Sequence, residues 1–247
     1  MMKEERFFHV PDALEHDELP EEEAIHAIRV LRLQPGDPIT LIDGGGAFHR
    51  AEISEANKKH CYYRILQSIP QTPSWCGKLH LAVAPTKNIE RMEWLVEKAT
   101  EIGLDEISFL QCRFSERTQI RVDRIGKIIV SAVKQSRKAW MPKVNMMMDF
   151  NQFVFKVKDE QKLICHCYSD NNDNVFDEKL SLFKTLRRGS DAVVMIGPEG
   201  DFSVEEVKRA IGCGFRSVSL GNSRLRTETA ALVAVHTFNL VNEIHVD

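Results

Sequence analysis

The sequence lacks both glycine-rich signatures that cradle a nucleotide's phosphates: it contains no G-x-x-x-x-G-K-[ST] and no G-x-G-x-x-G. That removes the P-loop and the dinucleotide fingerprint as starting points. Its six cysteines (Cys61, Cys76, Cys112, Cys165, Cys167 and Cys213) form no C-x-x-C pair. Cys165-His166-Cys167 on one strand would point to alternate faces, a poor grip on a single ion, so no metal is expected and the thiols are expected reduced. No uninterrupted apolar run approaches the ~18 residues of a membrane span. The opening residues, Met1-Met2-Lys3-Glu4-Glu5-Arg6, have no apolar stretch of the kind a secretory leader carries. These absences make a cytoplasmic chain, away from membranes, the expectation.

What is present suits a folded enzyme-sized chain. At 247 residues and 43% hydrophobic composition there is material for one large domain or two smaller ones. A net charge of −3 selects no partner, but the charge is unevenly spread. Asp12 to Glu23 holds seven acidic residues and no Lys or Arg, whereas Arg113 to Lys143 holds nine Lys or Arg against Glu116 and Asp123. That basic segment is either a solvated helical face or the footprint of phosphate contacts.

Two rhythms divide the chain. Up to about residue 72 it reads as short strands: Arg6–Val10, two apolar runs around Asp43-Gly44-Gly45-Gly46, and His60–Ile69. One helix is expected from Glu21 to Leu33, facing inward with Ile25, Ile28 and Leu31 or Arg32, and stopped by Pro35-Gly36. "PQTPS" then reads as a linker. Beyond it, apolar runs of the buried parallel kind ("LHLAVA", "EISFLQ", "KLICHC", "DAVVMI", "RSVSL") alternate with helical stretches. Ile89, Met92, Leu95, Val96, Ala99 and Ile102 mark one helix before Gly103. Val122, Ile125, Ile128, Ile129, Ala132 and Val133 mark another, with Trp94 and Trp140 read as core or interface residues in these helical patterns. Ser203 and Glu206 form a capping box, and Thr227 to about Asn242 forms a final helix. The expected fold is an open α/β sheet with helices on both sides.

In such a sheet ligands bind beyond the carboxyl ends of the strands. Three loops qualify: Gly197 to Asp201, Gly221 to Thr229, and the end of "LICHC". The first is a tight turn or a place where a ligand approaches backbone, since glycine permits both. Glu199 and Asp201 would repel a phosphate, so a neutral or cationic ligand suits it better.

Taken together, "IGPEGDFSVEEV" and "SLGNSRLRTETAAL", with "RFF", "HAIRVLRLQPGD", "EWLVEKATEIGLDEI" and "AVKQSRKAWMPKV", resemble the RsmE family. These SPOUT-superfamily enzymes methylate N3 of a uridine in small-subunit ribosomal RNA. The resemblance runs over nearly the whole chain in order. It implies a PUA-like β-barrel over residues 1–72 and a SPOUT α/β domain with a trefoil knot over 73–247. It also implies S-adenosylmethionine as cofactor, a homodimer, and 16S rRNA within the small ribosomal subunit as partner. Gly197, Pro198, Glu199 and Gly200 match the first cofactor loop; Leu220, Gly221, Leu225, Arg226, Thr227 and Thr229 match the second. Departures stand at Asp201, where the family commonly has glycine, and at Ser223-Arg224, where it commonly has an arginine and an aliphatic residue. The implied chemistry makes Arg226 the group that offsets charge on the uracil carbonyls, and Glu228 a base or the organiser of that arginine. Arg6, Arg113, Arg117, Arg121, Lys134, Arg137 and Lys138 are the implied RNA contacts. The rival classes are a non-catalytic RNA-binding or ribosome-assembly factor of the same fold, an unrelated nucleotide-binding α/β enzyme, and a SPOUT methyltransferase acting on transfer RNA.

Overall fold

The computed structural model describes residues 5–57, 59–168 and 179–243. The chain divides into two units, one made of Met1–Pro73 with Val130–Met141, the other of Ser74–Ile129 with Pro142–Asp247. Segment 130–141 therefore counts with the N-terminal unit, which a division at residue 72 does not anticipate.

In the N-terminal unit, β1 (Phe7–His9) pairs parallel with β2 (Pro38–Ile42), after an intervening helix α1 (Glu21–Ile25). Antiparallel β3 (Ala47–Ala56) and β4 (Cys61–Pro70) complete a four-stranded sheet in the order β1-β2-β3-β4. The turn at 43–46 is set by Asp43, whose Oδ1 accepts the Gly45 N–H at 2.7 Å and whose Oδ2 lies 3.0 Å from His49 Nε2. Alternation along the strands buries Phe8, Leu41, Ala51, Ile53 and Tyr63 together.

The expected inward face of the first helix needs correction. After Ile25 the chain winds as a π-helix over His26–Val30, which rotates the apolar stripe out of the 3.6-residue register. Ile25 is exposed, Arg32 is exposed with φ 54, and Ala24, Ala27 and Glu23 are buried instead. Ile28 and Leu31 do pack against the core. Glu23 tolerates burial because Lys134 Nζ lies 2.7 Å from its Oε1. Trp140 is not helical either. The third helix ends at Ser136, Arg137 takes φ 53, and Trp140 forms an antiparallel bridge with Gly45.

The second unit is an all-parallel sheet flanked by helices. Its elements run β5 (Leu79–Val83), α2 (Ile89–Ile102), β6 (Glu106–Gln111), the first part of α3 (Val122–Ser136, whose residues from Val130 on count with the N-terminal unit), β7 (Lys143–Val144), β8 (Met148–Asp149), α4 (Phe150–Lys156) and β9 (Gln161–Cys165). Then follow β10 (Leu180–Ser181), α5 (Leu182–Thr185), β11 (Ala192–Ile196), α6 (Val204–Gly212), β12 (Arg216–Ser219) and α7 (Thr227–Asn242). The strand order is β10-β12-β9-β11-β5-β6-β7, with β8 also on β6. β5 and β11 are buried along their whole length, as strands covered on both faces must be. Phe150, Phe153, Val207, Ala210 and Phe215 cover one face, over Val193 and Met195. On the other, α7 packs against β5, β11 and α2.

Helix α4 escaped the sequence reading. Asp149 caps it, with Oδ1 accepting from the Asn151 and Gln152 N–H groups at 2.8 and 3.1 Å. Gly103 ends α2 at φ 142, its N–H bonded to Ala99 O at 2.9 Å. A Cβ there would stand 2.6 Å from Asn239 Oδ1 and 2.8 Å from the Trp75 ring. Gly103→Ala is therefore expected to destabilise this unit by about 2 kcal/mol, read as a melting temperature lower by roughly 4–8 °C. An unchanged melt would show that α2 and α7 can separate freely at this point.

Candidate cofactor and acceptor site

A parallel sheet sends the ends of β9, β11 and β12 to one edge, and the loops that follow them meet there. They line a cavity of about 770 Å³, bounded by Cys165–Cys167, Lys179, Ile196–Asp201, Val218–Glu228, Ala230 and Arg91. That volume lies in the range of small-ligand sites.

The loop after β11 is a closed turn, with the Asp201 N–H bonded to Pro198 O at 2.9 Å. Its left-handed residue is Asp201 at φ 65, whereas Gly197 and Gly200 are not in that region. Those two glycines are required for room. A Cβ at 197 would come within 3.1 Å of the Phe202 ring and of the Phe202 main-chain nitrogen, and one at 200 within 3.0 Å of Phe114 Cβ. Asp201 also acts as a strut. Its Oδ2 accepts the Cys167 N–H at 2.7 Å and its Oδ1 the Phe202 N–H at 2.8 Å, tying the loops after β9 and β11 together. Glu199 braces a third connection, its Oε1 accepting the Lys87 N–H at 2.9 Å. Arg117 completes that brace by donating to Thr86 O and Lys87 O at 3.0 and 2.5 Å.

The loop after β12 joins the first through Thr227, whose hydroxyl donates to Gly197 O at 3.1 Å. Gly221 takes φ 112, and a Cβ there would meet nothing within 4 Å, so a side chain would occupy open space. Arg226 is the N-cap residue of α7; it is exposed and makes no ion pair among the described residues. Glu228, two residues on, is buried, and its neighbour is Arg91, with Nε 3.8 Å from Oε1. The implied organising of Arg226 by Glu228 is thus replaced by the Arg91–Glu228 pair. Sequence spacing gave no hint of Arg91. It enters because β5 neighbours β11, so the helix after β5 starts at the same sheet edge.

Burial first, then the Lys179 cation, pushes the His166 imidazole down to about 4, so it is neutral near pH 7. Its Nε2 lies 2.9 Å from Ser217 Oγ. Burial likewise pushes the Cys165 thiol up to about 12, which leaves it un-ionised and unreactive. A neutral histidine, carboxylates at Glu199 and Asp201, and an arginine at 224 suit a zwitterionic ligand carrying a cationic sulfonium. The residues present therefore fit S-adenosylmethionine.

Of the matched cofactor residues, Gly197, Pro198, Glu199, Gly200, Leu220, Gly221, Leu225, Arg226 and Thr227 line the cavity, and Thr229 does not. The expected RNA-contacting residues divide. Arg113, Arg121 and Arg137 are exposed; Arg113 Nη1 lies 3.2 Å from Glu205 Oε2, and the Arg137 guanidinium lies 5.5 Å over the Phe7 ring. Arg117 and Lys134 are half-buried and bonded within the protein. Lys138 is half-buried, which lowers its pKa, and Arg6 is half-buried with its carbonyl in the β2 ladder. Among the described residues no three His, Cys, Asp or Glu side chains gather as a metal ion would require, and no helix is long and apolar enough to cross a membrane.

An all-parallel α/β unit with its cavity at the strand ends, following a small N-terminal sheet, is the architecture of a SPOUT-type RNA methyltransferase with a PUA domain. The RNA methyltransferase domain model matches residues 73–239, and the RNA methyltransferase PUA domain model matches residues 19–66. The chain belongs to the ribosomal RNA small subunit methyltransferase E family. It is 32% identical over 220 residues to the family member of Synechocystis sp., covering 87% of this chain and 70% of that one. Among solved structures, a Porphyromonas gingivalis protein described as a probable rRNA-methyltransferase is 39% identical with a TM-score of 0.88, over 96% of this chain and 98% of that one. A ribosomal RNA small subunit methyltransferase E of Neisseria gonorrhoeae, bound to S-adenosyl methionine, is 29% identical with a TM-score of 0.80, over 96% and 97%.

Proposed function

We propose that the protein transfers the methyl group of S-adenosylmethionine to N3 of a uridine in 16S rRNA, acting on the small ribosomal subunit. The observation that carries this reading is the cavity at the ends of β9, β11 and β12, where both glycine loops converge on a donor set suited to a sulfonium. The Neisseria relative with S-adenosyl methionine bound supports the choice of cofactor. When bound, the cofactor supplies an electrophilic methyl, so the protein must align the acceptor and exclude water.

The chain's own residues do the rest. Pro198, Gly200 and the Asp201 strut hold a preformed surface against which a ligand lies. Uracil N3 must shed its proton before it attacks, and negative charge then spreads onto the ring carbonyls. Arg226, exposed at the cavity rim with no carboxylate partner among the described residues, offsets that charge on one carbonyl. N3 lies on the pairing edge, so the uridine must be unpaired or flipped out. Arg113, Arg121 and Arg137, which are exposed, supply phosphate contacts. The trefoil knot, a homodimer and a cytoplasmic location belong to the same reading.

A thermal-shift series tests the cofactor. S-adenosylmethionine is expected to raise the melting temperature, and ATP and NAD to leave it unchanged. A shift with ATP or NAD alone would sink the methyltransferase reading, and no shift with any of them would favour an RNA-binding factor.

A further inference from the structure

Glu228 is only 7% exposed, and its Oε2 has no hydrogen-bond partner among the described residues. A carboxylate oxygen taken from water and given no donor is strongly unfavourable, so the oxygen is adapted to a donor that a ligand brings. Arg91 Nε stands 3.8 Å from the other oxygen, and both side chains line the cavity. The pair thus offers an acceptor beside a cationic donor. The pairing edge of uracil is the complement: an N3–H donor with a carbonyl on each side.

Resting on the reading that the chain methylates uridine N3, we infer that Glu228 and Arg91 form the acceptor-base subsite, with Glu228 Oε2 taking the N3 proton and Arg91 holding one flanking carbonyl. The step balances. The N3–H bond breaks and its proton passes to Oε2. The freed N3 pair forms the N–CH3 bond as the S–CH3 bond breaks, and the sulfonium leaves as a neutral thioether. Glu228 then returns its proton to water. The two uracil carbonyls divide between two arginines, one to Arg226 and one to Arg91. Glu228 therefore acts on the substrate directly and does not serve to organise Arg226.

The test compares Glu228→Gln and Arg91→Lys with the unsubstituted protein on small subunits carrying either uridine or 5-fluorouridine, whose ring fluorine makes N3 more acidic. Single-turnover rates and cofactor affinity are read separately. Glu228→Gln is expected to lose at least about 100-fold in rate with uridine and to hold cofactor affinity within about threefold of the unsubstituted value. On the fluorinated subunit the variant recovers roughly tenfold or more, because an acceptor that sheds its proton readily needs the base less. Arg91→Lys lowers the rate about tenfold with the same cofactor affinity. A merely structural glutamate would show no dependence on acceptor acidity. Full activity in either variant, no fluorine recovery, or a defect confined to cofactor affinity would overturn the assignment; the last would give Oε2 to the cofactor. Absence of transfer by the unsubstituted protein would instead overturn the uridine reading itself, and no variant is needed to see it.

Discussion

Arg226→Ala is expected to lower methyl transfer by about 100- to 1,000-fold, the usual cost of removing one donor aimed at developing negative charge. Cofactor affinity should stay within a few fold, because the arginine's charge is used only once N3 has lost its proton. The structure makes this separation clean. Arg226 caps α7 through its backbone and makes no side-chain capping bond, so alanine leaves the helix start in place. The Ala230 N–H still finds the residue 226 carbonyl at 2.8 Å, and Thr227 still reaches Gly197 O. Single-turnover transfer with a parallel binding isotherm distinguishes the two effects. Unchanged turnover would remove Arg226 from the mechanism, and a loss of cofactor binding equal to the loss of rate would make it a binding residue only.

Gly197→Ala is expected to weaken cofactor binding by at least about tenfold, through the loop it deforms. Its φ is unremarkable, so the effect is one of space. The new methyl group would lie 3.1 Å from the Phe202 ring, 3.1 Å from the Phe202 nitrogen and 3.2 Å from the Asp201 carbonyl carbon. Phe202 is fully buried in the core under α4 and α6, and two of those three atoms are backbone, so neither can yield cheaply. The turn must open, which disturbs the Pro198–Asp201 bond and the Asp201 strut to Cys167. Calorimetric titration with S-adenosylmethionine reads the outcome. Binding as tight as in the unsubstituted protein would show that the turn does not shape the cofactor surface.

Much of the fold was legible because strands buried on both faces must be continuously apolar. "LHLAVA" and "DAVVMI" became β5 and β11 at the sheet centre for that reason. Local chemistry was equally readable where it is short-range: Ser203 and Glu206 do form the capping box, and Asp201 adopts the left-handed conformation that an aspartate tolerates. Long-range pairing was not readable. Arg91 and Glu228 come from α2 and α7, far apart in sequence, and only the β5–β11 adjacency brings them together. The same holds for Arg117, read as a phosphate contact and found bracing Thr86 and Lys87, and for Lys134, found against Glu23. The π-helical turn after Ile25 was invisible because a 3.6-residue template fits the same apolar residues. The loop after "LICHC" lines the cavity because Asp201 of the neighbouring loop supplies the carboxylate that accepts the Cys167 N–H and holds it.

The central claim is that this chain places a methyl group on N3 of one uridine of the small subunit's RNA. Its most direct test is transfer of labelled methyl from S-adenosylmethionine to unmethylated small subunits, naked 16S rRNA and bulk transfer RNA, with the product mapped by reverse transcription. Methylation of N3 blocks the pairing edge, so the expected result is label in the small subunit and a reverse-transcription stop at a single uridine. Label in transfer RNA alone, or none in any of the three with folded protein and an unmethylated acceptor, would contradict it.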